Sequence, residues 1–306
     1  MANIRWGYAI NQWRVNETDL VTKEQRESAL KVLSVSGFRA VEISDNAIGG
    51  PEIVPAYFGS VHGFKDFLNS CGMDRVCSYF GNLGGGSATN PGDHVRLSEA
   101  AKRLAGFLAE LGGSCLLVRP LGSYWREAPI TQEKLRIVAD CWNRVGRTTK
   151  SEGIQTALHI DFLCGVRKES DLDELVKVSD AATVGLALDT AELAIAGIDP
   201  VKFYEKNYAR VKHFHFKDAV LADTLDEYKE PNADVQLLNG GGKRQIDRWF
   251  YEMGTPGGLV NFPALVKAMN QHNYDGWVVA ESDQSPHAEE SVMLNGWYVR
   301  QVLSKL

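Results

Sequence analysis

"VGLALDTAELAIAGIDPVKFYEKNYARVKHFHF" (residues 184–216) holds two short apolar runs on either side of a helical pattern. "VGLALD" (184–189) and "VKHFHF" (211–216) have the length and filling of strands. Between them Asp199-Pro200 is a helix start, an acceptor side chain ahead of a proline at the first helical position, and the helix runs over 199–208. Strand, helix, strand is the unit of a parallel sheet. The alternation continues in both directions, with strands at 5–10, 40–44, 75–79, 115–119, 155–160 and 277–281. Helical patterns fall near 22–36, 61–71, 91–111, 131–152, 170–179, 262–272 and 288–304. Thr131 and Asn261 supply further starts, and Gly37, Gly72, Gly112 and Gly153 supply ends. Eight such units predict closure into an α/β fold of the (β/α)8 TIM barrel type, a single domain over 1–306, which typically needs about 250 residues. A doubly wound dinucleotide-binding sheet would carry a glycine-rich turn after its first strand, and "YAINQWR" (8–14) is not one.

One connection breaks the rhythm. About 45 residues separate the seventh strand from the helix at 262, long against the usual connection. The segment carries "NGGGKRQ" (239–245) and "YEMGTPGG" (251–258). A short helix is expected around "TLDEYKE" (224–230), and the rest reads as a long loop over the barrel mouth or at an oligomer contact. Lys243 and Arg244 beside the glycines could cradle a phosphate, with a flexible lid the favoured reading.

At 44% hydrophobic and 24% charged residues the chain is of ordinary globular composition. Its net charge of −6 disfavours a nucleic-acid partner and leaves a small polar substrate as the default. The cysteines (71, 77, 115, 141, 164) are odd in number and scattered, which points to reduced thiols and a cytoplasmic setting. The first residues reach Arg5 without building a signal peptide's apolar run, and no stretch approaches the roughly 18 apolar residues of a membrane span.

Strand parity then locates chemistry. In a barrel strand alternate residues face the interior and the helices. On the seventh strand Val211, His213, His215 and Lys217 share one face, and Phe214 and Phe216 suit the helix layer, so the polar set points inward. On the fifth, "TALHIDF" (156–162) puts Ala157, His159 and Asp161 inward. On the sixth, Ala187 and Asp189 face in; on the eighth, Val279, Glu281 and Asp283. Four adjacent strands thus end with inward imidazoles or carboxylates, at the C-terminal mouth where barrels place their chemistry. Buried together they need partners, and one divalent cation would satisfy them all. Two imidazoles and two carboxylates suit Mn²⁺, Fe²⁺, Co²⁺ or Zn²⁺ better than Mg²⁺ or Ca²⁺.

"GLALDTAELAIAGIDP" (185–200), "YARVKHFHFKDA" (208–219) and "YDGWVVAESD" (274–283), in that order, resemble the xylose isomerase-like barrel superfamily of sugar isomerases, epimerases and dehydratases. The resemblance reaches from "GFRAVEIS" (37–44) to Asp283. It implies that His159, Asp189, His215 and Glu281 hold one divalent metal. The chain departs from the epimerase pattern twice, with His159 where those members carry Glu, and Glu192 where they carry His. A strand-five histidine is similar to the myo-inosose dehydratase-like branch, although that branch's second histidine is Asp161 here. "HFHFKD" (213–218) fits the same branch, whose lysine contacts substrate.

An epimerase working on both faces of a reacting carbon wants two carboxylate bases. With His159 in place of one of them, proton removal on a single face followed by loss of a β-oxygen substituent fits better. The expectation is a metal-dependent lyase or dehydratase acting on a keto-sugar, keto-inositol or 3-keto-glycoside. Glu281 or His159 serves as base, Lys217 stabilises the oxyanion or leaving group, and Asp161 and Glu192 contact substrate hydroxyls. Trp13 and Trp125 either stack on the substrate or pack the barrel rim. Glu42, inward on the second strand, reads as a structural buried acid, and His213 as support below His215. A metal-dependent ketose isomerase or epimerase is the alternative, and a non-catalytic sugar-binding barrel the second. An endonuclease IV-type site needs more metal ligands than the seven histidines provide, since His62, His94, His272 and His287 lie in helices or loops. A homo-oligomer or a small partner subunit stays open.

Overall fold

The computed structural model describes residues 3–13, 22–239, 242–244 and 246–306. Eight strands close into a barrel in sequence order: β1 (Arg5–Ala9), β2 (Ala40–Ser44), β3 (Arg75–Phe80), β4 (Cys115–Val118), β5 (Gln155–His159), β6 (Val184–Asp189), β7 (Val211–Phe216) and β8 (Trp277–Ala280). Every pairing is parallel, and β8 closes on β1 with Gly7 opposite Val279.

The helices fall where the periodicity puts them: Lys23–Val35, Val61–Ser70, His94–Glu110, Gln132–Ser151, Glu169–Val178, Pro200–Asn207, Phe262–Gln271 and Ala288–Gln301. Thr131 caps Lys134 N, Asp199 caps Val201 N and Lys202 N, and Asn261 caps Ala264 N, each satisfying amides that the first turn leaves unpaired. Gly37, Gly72, Gly112 and Gly153 all take positive φ just past a helix end. Short helices at Ile53–Phe58, Tyr124–Glu127, Thr190–Ile195 and Ala233–Leu238 are not expected from the pattern; each is shorter than two turns, too short for a period to show.

The main core lies between barrel and helices, where Phe214 and Phe216 bury fully, each contributing roughly 1.5–3 kcal/mol. The barrel interior is lined mostly by smaller side chains: Ala9, Ala40, Cys77 and Val279 in one cluster, with Trp277 from the first position of β8, and Cys115, Leu117, Ala157 and Ala187 in another. That small lining leaves width for imidazoles higher up. Two bulges re-aim side chains. Val41 pairs with Val76 but Glu42 with Ser78, so β3 carries one extra residue. Leu186 pairs with Val211 but Ala187 with His213, so Lys212 is extra on β7. Val211 therefore packs in the helix-side core rather than sharing the interior face with His213, which corrects the strict alternation expected there.

The connection after β7 is not a bare loop. It carries a 3-10 turn (Glu227–Lys229) and the Ala233–Leu238 helix, and Asp218 bridges to Tyr251 in antiparallel fashion. Tyr228, Leu237, Trp249 and Phe250 form a second apolar cluster with Phe162, Leu163 and Ala191 over the barrel mouth. Buried Arg167 ties it down, 3.0 Å from Asp223 Oδ2 and with its guanidinium 3.5 Å from the Tyr228 ring. Lys243 pairs with Glu230, and Arg244 donates to Ala222 O and Thr224 Oγ1, so these charges are spent inside the connection rather than held ready for a phosphate. Gly240, Gly241 and Gln245 of the glycine-rich stretch lie outside the described residues.

Candidate active site

Lys217 leaves the end of β7 and stands in the middle of the mouth. Its Nζ lies 2.7 Å from Asp283 Oδ2, 3.0 Å from Asp189 Oδ2, 3.1 Å from Glu281 Oε2 and 3.5 Å from Glu192 Oε1. Phe250, from the long connection, covers the ammonium at 4.0 Å. Burial pulls the Lys217 pKa down, and the four carboxylates overcome it, holding the group well above its ordinary value.

His159 and His215 meet beneath it. His159 Nε2 lies 3.1 Å from His215 Nδ1, and Asp189 Oδ2 is 3.5 Å from the former and 3.7 Å from the latter. His215 Nδ1 is also 3.0 Å from Glu281 Oε2. His159, Asp189 and His215 each offer a ligand atom within 4.8 Å of the others, all buried. His159 Nδ1, Asp189 Oδ2 and Glu281 Oε2 are buried without a hydrogen bond of good geometry, although the carboxylate oxygens carry ion-pair contacts. Buried oxygens and ring nitrogens converging with open lone pairs are the donor set of a divalent cation site. Phe80, re-aimed by the β3 bulge, lies against His159 with 4.7 Å between ring centroids.

The charges in this cluster are pushed apart. Burial raises the Glu281 carboxyl, but His215 and Lys217 beside it hold it well below the usual carboxylate range. Burial and the Glu281 charge push Asp283 up to about 7 against the pull of Lys217. Asp189 is raised by burial and brought far down by Lys217 and the two imidazoles, while Glu192, buried beside Asp161, is held well above its usual value.

The other expected site residues divide. Asp161 is buried with both oxygens engaged, Oδ1 by Leu163 N and Oδ2 by Arg119 Nη2 at 2.7 Å. Glu192 accepts Phe162 N at 2.8 Å while its other oxygen faces Lys217, so it splices β5's end to the site. Trp13 is 4% exposed within the main core. Trp125 donates Nε1 to Asp234 Oδ1 at 2.8 Å and carries the Arg126 guanidinium over its ring. Both tryptophans make packing contacts at the rim, and Trp13 also lines a separate cavity of ≈ 590 Å³ with Gln12, Ser28 and Pro286. His213 sits below, 3.1 Å from Glu42 Oε2.

Beside this cluster a cavity of ≈ 790 Å³ opens over β1–β4, and Asn11, Asp45, Phe80, Asn82 and Arg119 line it. None of these was singled out in the sequence, and two of them touch the cluster's own residues. Asn11 donates Nδ2 to Glu281 Oε1 at 2.5 Å. Arg119 follows Cys115 and Leu117 in the parity of β4, so the rule applied to strands five through eight would have found it.

Residues 30–295 match the family model described as xylose isomerase-like TIM barrel. The inosose dehydratase of Clostridium beijerinckii is 25% identical over 279 residues, covering 88% of this chain and 85% of that protein. Among solved structures, the probable 3-DHS dehydratase AsbF of Bacillus anthracis, involved in petrobactin synthesis, superposes with a TM-score of 0.73 at 13% identity, over 98% of this chain and 99% of that one. The IolI protein, solved with a bound zinc atom, gives a TM-score of 0.69 at 15% identity over 98% of each chain. With the family model matched from the first helix to the last, this chain belongs to the xylose isomerase-like TIM barrel family.

Proposed function

We propose that this protein is a divalent-metal-dependent carbon–oxygen lyase, a dehydratase that removes water from a keto-cyclitol or keto-sugar. The observation that carries the reading is the convergence of His159, Asp189, His215 and Glu281 around one buried ammonium, Lys217, at the barrel mouth. The inosose dehydratases among its relatives supply the substrate class.

His159, Asp189, His215 and Glu281 would hold the ion, and their mixed nitrogen and oxygen donors suit Mn²⁺, Fe²⁺, Co²⁺ or Zn²⁺. When bound there, such an ion supplies Lewis-acid polarisation of a carbonyl. Glu281 is kept ionised by His215 and Lys217 and takes the proton α to the ketone, with His159 as the other candidate base. The electrons of that C–H bond form the carbon–carbon double bond as the β C–O bond breaks. Lys217, with Asp283 against it, donates a hydrogen bond to the departing oxygen, which leaves as water with the proton that Glu281 removed. Arg119 lines the cavity where a substrate hydroxyl would reach its guanidinium, and buried Asp161 holds that guanidinium at 2.7 Å. Phe80 and Phe250 keep bulk water off the reacting groups.

The test is elimination from a keto-inositol by protein loaded with Mn²⁺ and, separately, Co²⁺ or Zn²⁺, followed by the absorbance of the unsaturated product. Glu281→Gln should lower turnover on the order of 10³-fold. Near-wild-type elimination by that variant would remove Glu281 from the reaction. Solvent deuterium entering the substrate with no loss of water would replace elimination by isomerisation.

A further inference from the structure

Glu42 is a carboxylate of the barrel interior that the mechanism does not use, and it is only 2% exposed. It stands on β2, across the barrel from β7. Its Oε1 lies 2.8 Å from His215 Nε2 and its Oε2 3.1 Å from His213 Nε2. Ser78 Oγ, turned inward by the β3 bulge, donates to Oε2 at 2.6 Å. The His215 ring is thus held from both sides: Nε2 against Glu42, Nδ1 toward Glu281, Asp189 and His159.

We propose that Glu42 is a positioning residue which keeps the His215 proton on Nε2, so that Nδ1 presents its lone pair to the metal. The inference rests on His215 being a ligand, as in the preceding section. A ring nitrogen facing a carboxylate keeps its proton there, which fixes the tautomer and strengthens the opposite nitrogen as a donor; losing such a partner typically weakens metal binding about 10–100-fold. The contact is bent off the N–H axis, so charge rather than a linear hydrogen bond holds it. His213 and Ser78 in turn fix Glu42 and share its charge. Glu42, His213 and His215 also lie close enough to hold an ion themselves. Against that, Ser78 already donates to Oε2, and the three groups are sealed within the barrel interior.

The experiment compares the wild type with Glu42→Leu, which keeps the volume, and Glu42→Gln, which keeps an acceptor oxygen but no charge. Mn²⁺ affinity is read from loss of the free-ion EPR signal. The His215 Nε2–H resonance is read by ¹H–¹⁵N NMR on Zn²⁺-loaded protein. The expected result is a Kd for Mn²⁺ raised at least about tenfold in Glu42→Leu and a few-fold in Glu42→Gln, with the Nε2–H resonance of the wild type lost in the former and shifted in the latter. Wild-type affinity and an unchanged signal in either folded variant overturn the proposal. Two ions per wild-type chain, one of them lost on substitution, would overturn it in favour of a second ion site. A wild type that binds no Mn²⁺ at all would instead sink the reading of His215 as a ligand, so the two failures are distinguishable.

Discussion

Asn11 holds a proposed base by one oxygen only. Its Nδ2 donates to Glu281 Oε1 at 2.5 Å, which leaves Oε2 turned to His215 Nδ1 and Lys217 Nζ. A hydrogen bond to a charged acceptor contributes about 1.5–3 kcal/mol, and here much of it goes into fixing which oxygen faces the reaction. Asn11→Ala should therefore lower kcat roughly 10–100-fold. Asn11→Asp sets a second carboxylate against Glu281, so the base holds its proton more tightly and the acid limb of the pH–rate profile moves to higher pH. A profile that stays in place, with kcat near wild type in both variants, would leave Asn11 without this role.

Asp218 does for an element what Asn11 does for a side chain. It begins the long connection and gathers its far end: Oδ1 accepts Ala219 N at 2.9 Å and Val260 N at 3.1 Å, and its backbone exchanges two hydrogen bonds with Tyr251. Gly258 lies so close that a Cβ there would run into Oδ2, so Gly258 is the residue that lets the carboxylate in. Burial pushes the Asp218 carboxyl from 3.8 up to about 6 against the backbone amides that lower it. A raised folded-state pKa means that the fold favours the protonated acid. Its stabilising contribution is complete below 3.8 and is lost as pH rises through about 6. Asp218→Asn keeps an acceptor oxygen and cannot titrate. Urea midpoints should fall for the wild type relative to Asp218→Asn between pH about 4 and about 7; parallel curves would show that Asp218 does not titrate in that window. The same scale shows where sequence reading stops. Strand parity located His159, His215, Lys217, Asp189 and Glu281 because β5, β6 and β8 and the upper half of β7 alternate regularly. It misplaced Val211 and could not see Ser78 or Phe80 facing inward, because an extra residue in one strand of a pair depends on the partner's register, which no single strand records. The packed character of the long connection was hidden for a related reason: Trp249 and Phe250 bury against Phe162, which precedes both β6 and β7 in the chain, and local polarity gives no sign of it.

Over the whole molecule, eight strand and helix periods were enough to fix a closed barrel, because the closure follows from the number of units rather than from any one of them. No helix among the described residues is long and apolar enough to cross a membrane, and all five cysteines are buried and unpaired. The site uses the closure directly, since its charged groups come from β5, β6, β7 and β8 and Glu42 reaches them across the lumen from β2. An ion held by His159, Asp189, His215 and Glu281 would therefore tie together strands far apart in sequence, groups that unfolding separates. Binding to the folded state alone should stabilise by about 2.7 kcal/mol at a hundredfold excess over Kd. For a chain of this length, that corresponds to a Tm rise of roughly 4 °C. Differential scanning fluorimetry on chelator-treated protein should show that rise with Mn²⁺, Co²⁺ or Zn²⁺ in the wild type and none in His215→Ala. Metal analysis of protein purified without chelator or histidine tag should find about one ion per wild-type chain and none in the variant. A wild-type Tm indifferent to all of these ions, with no metal bound, would keep the barrel and remove the lyase.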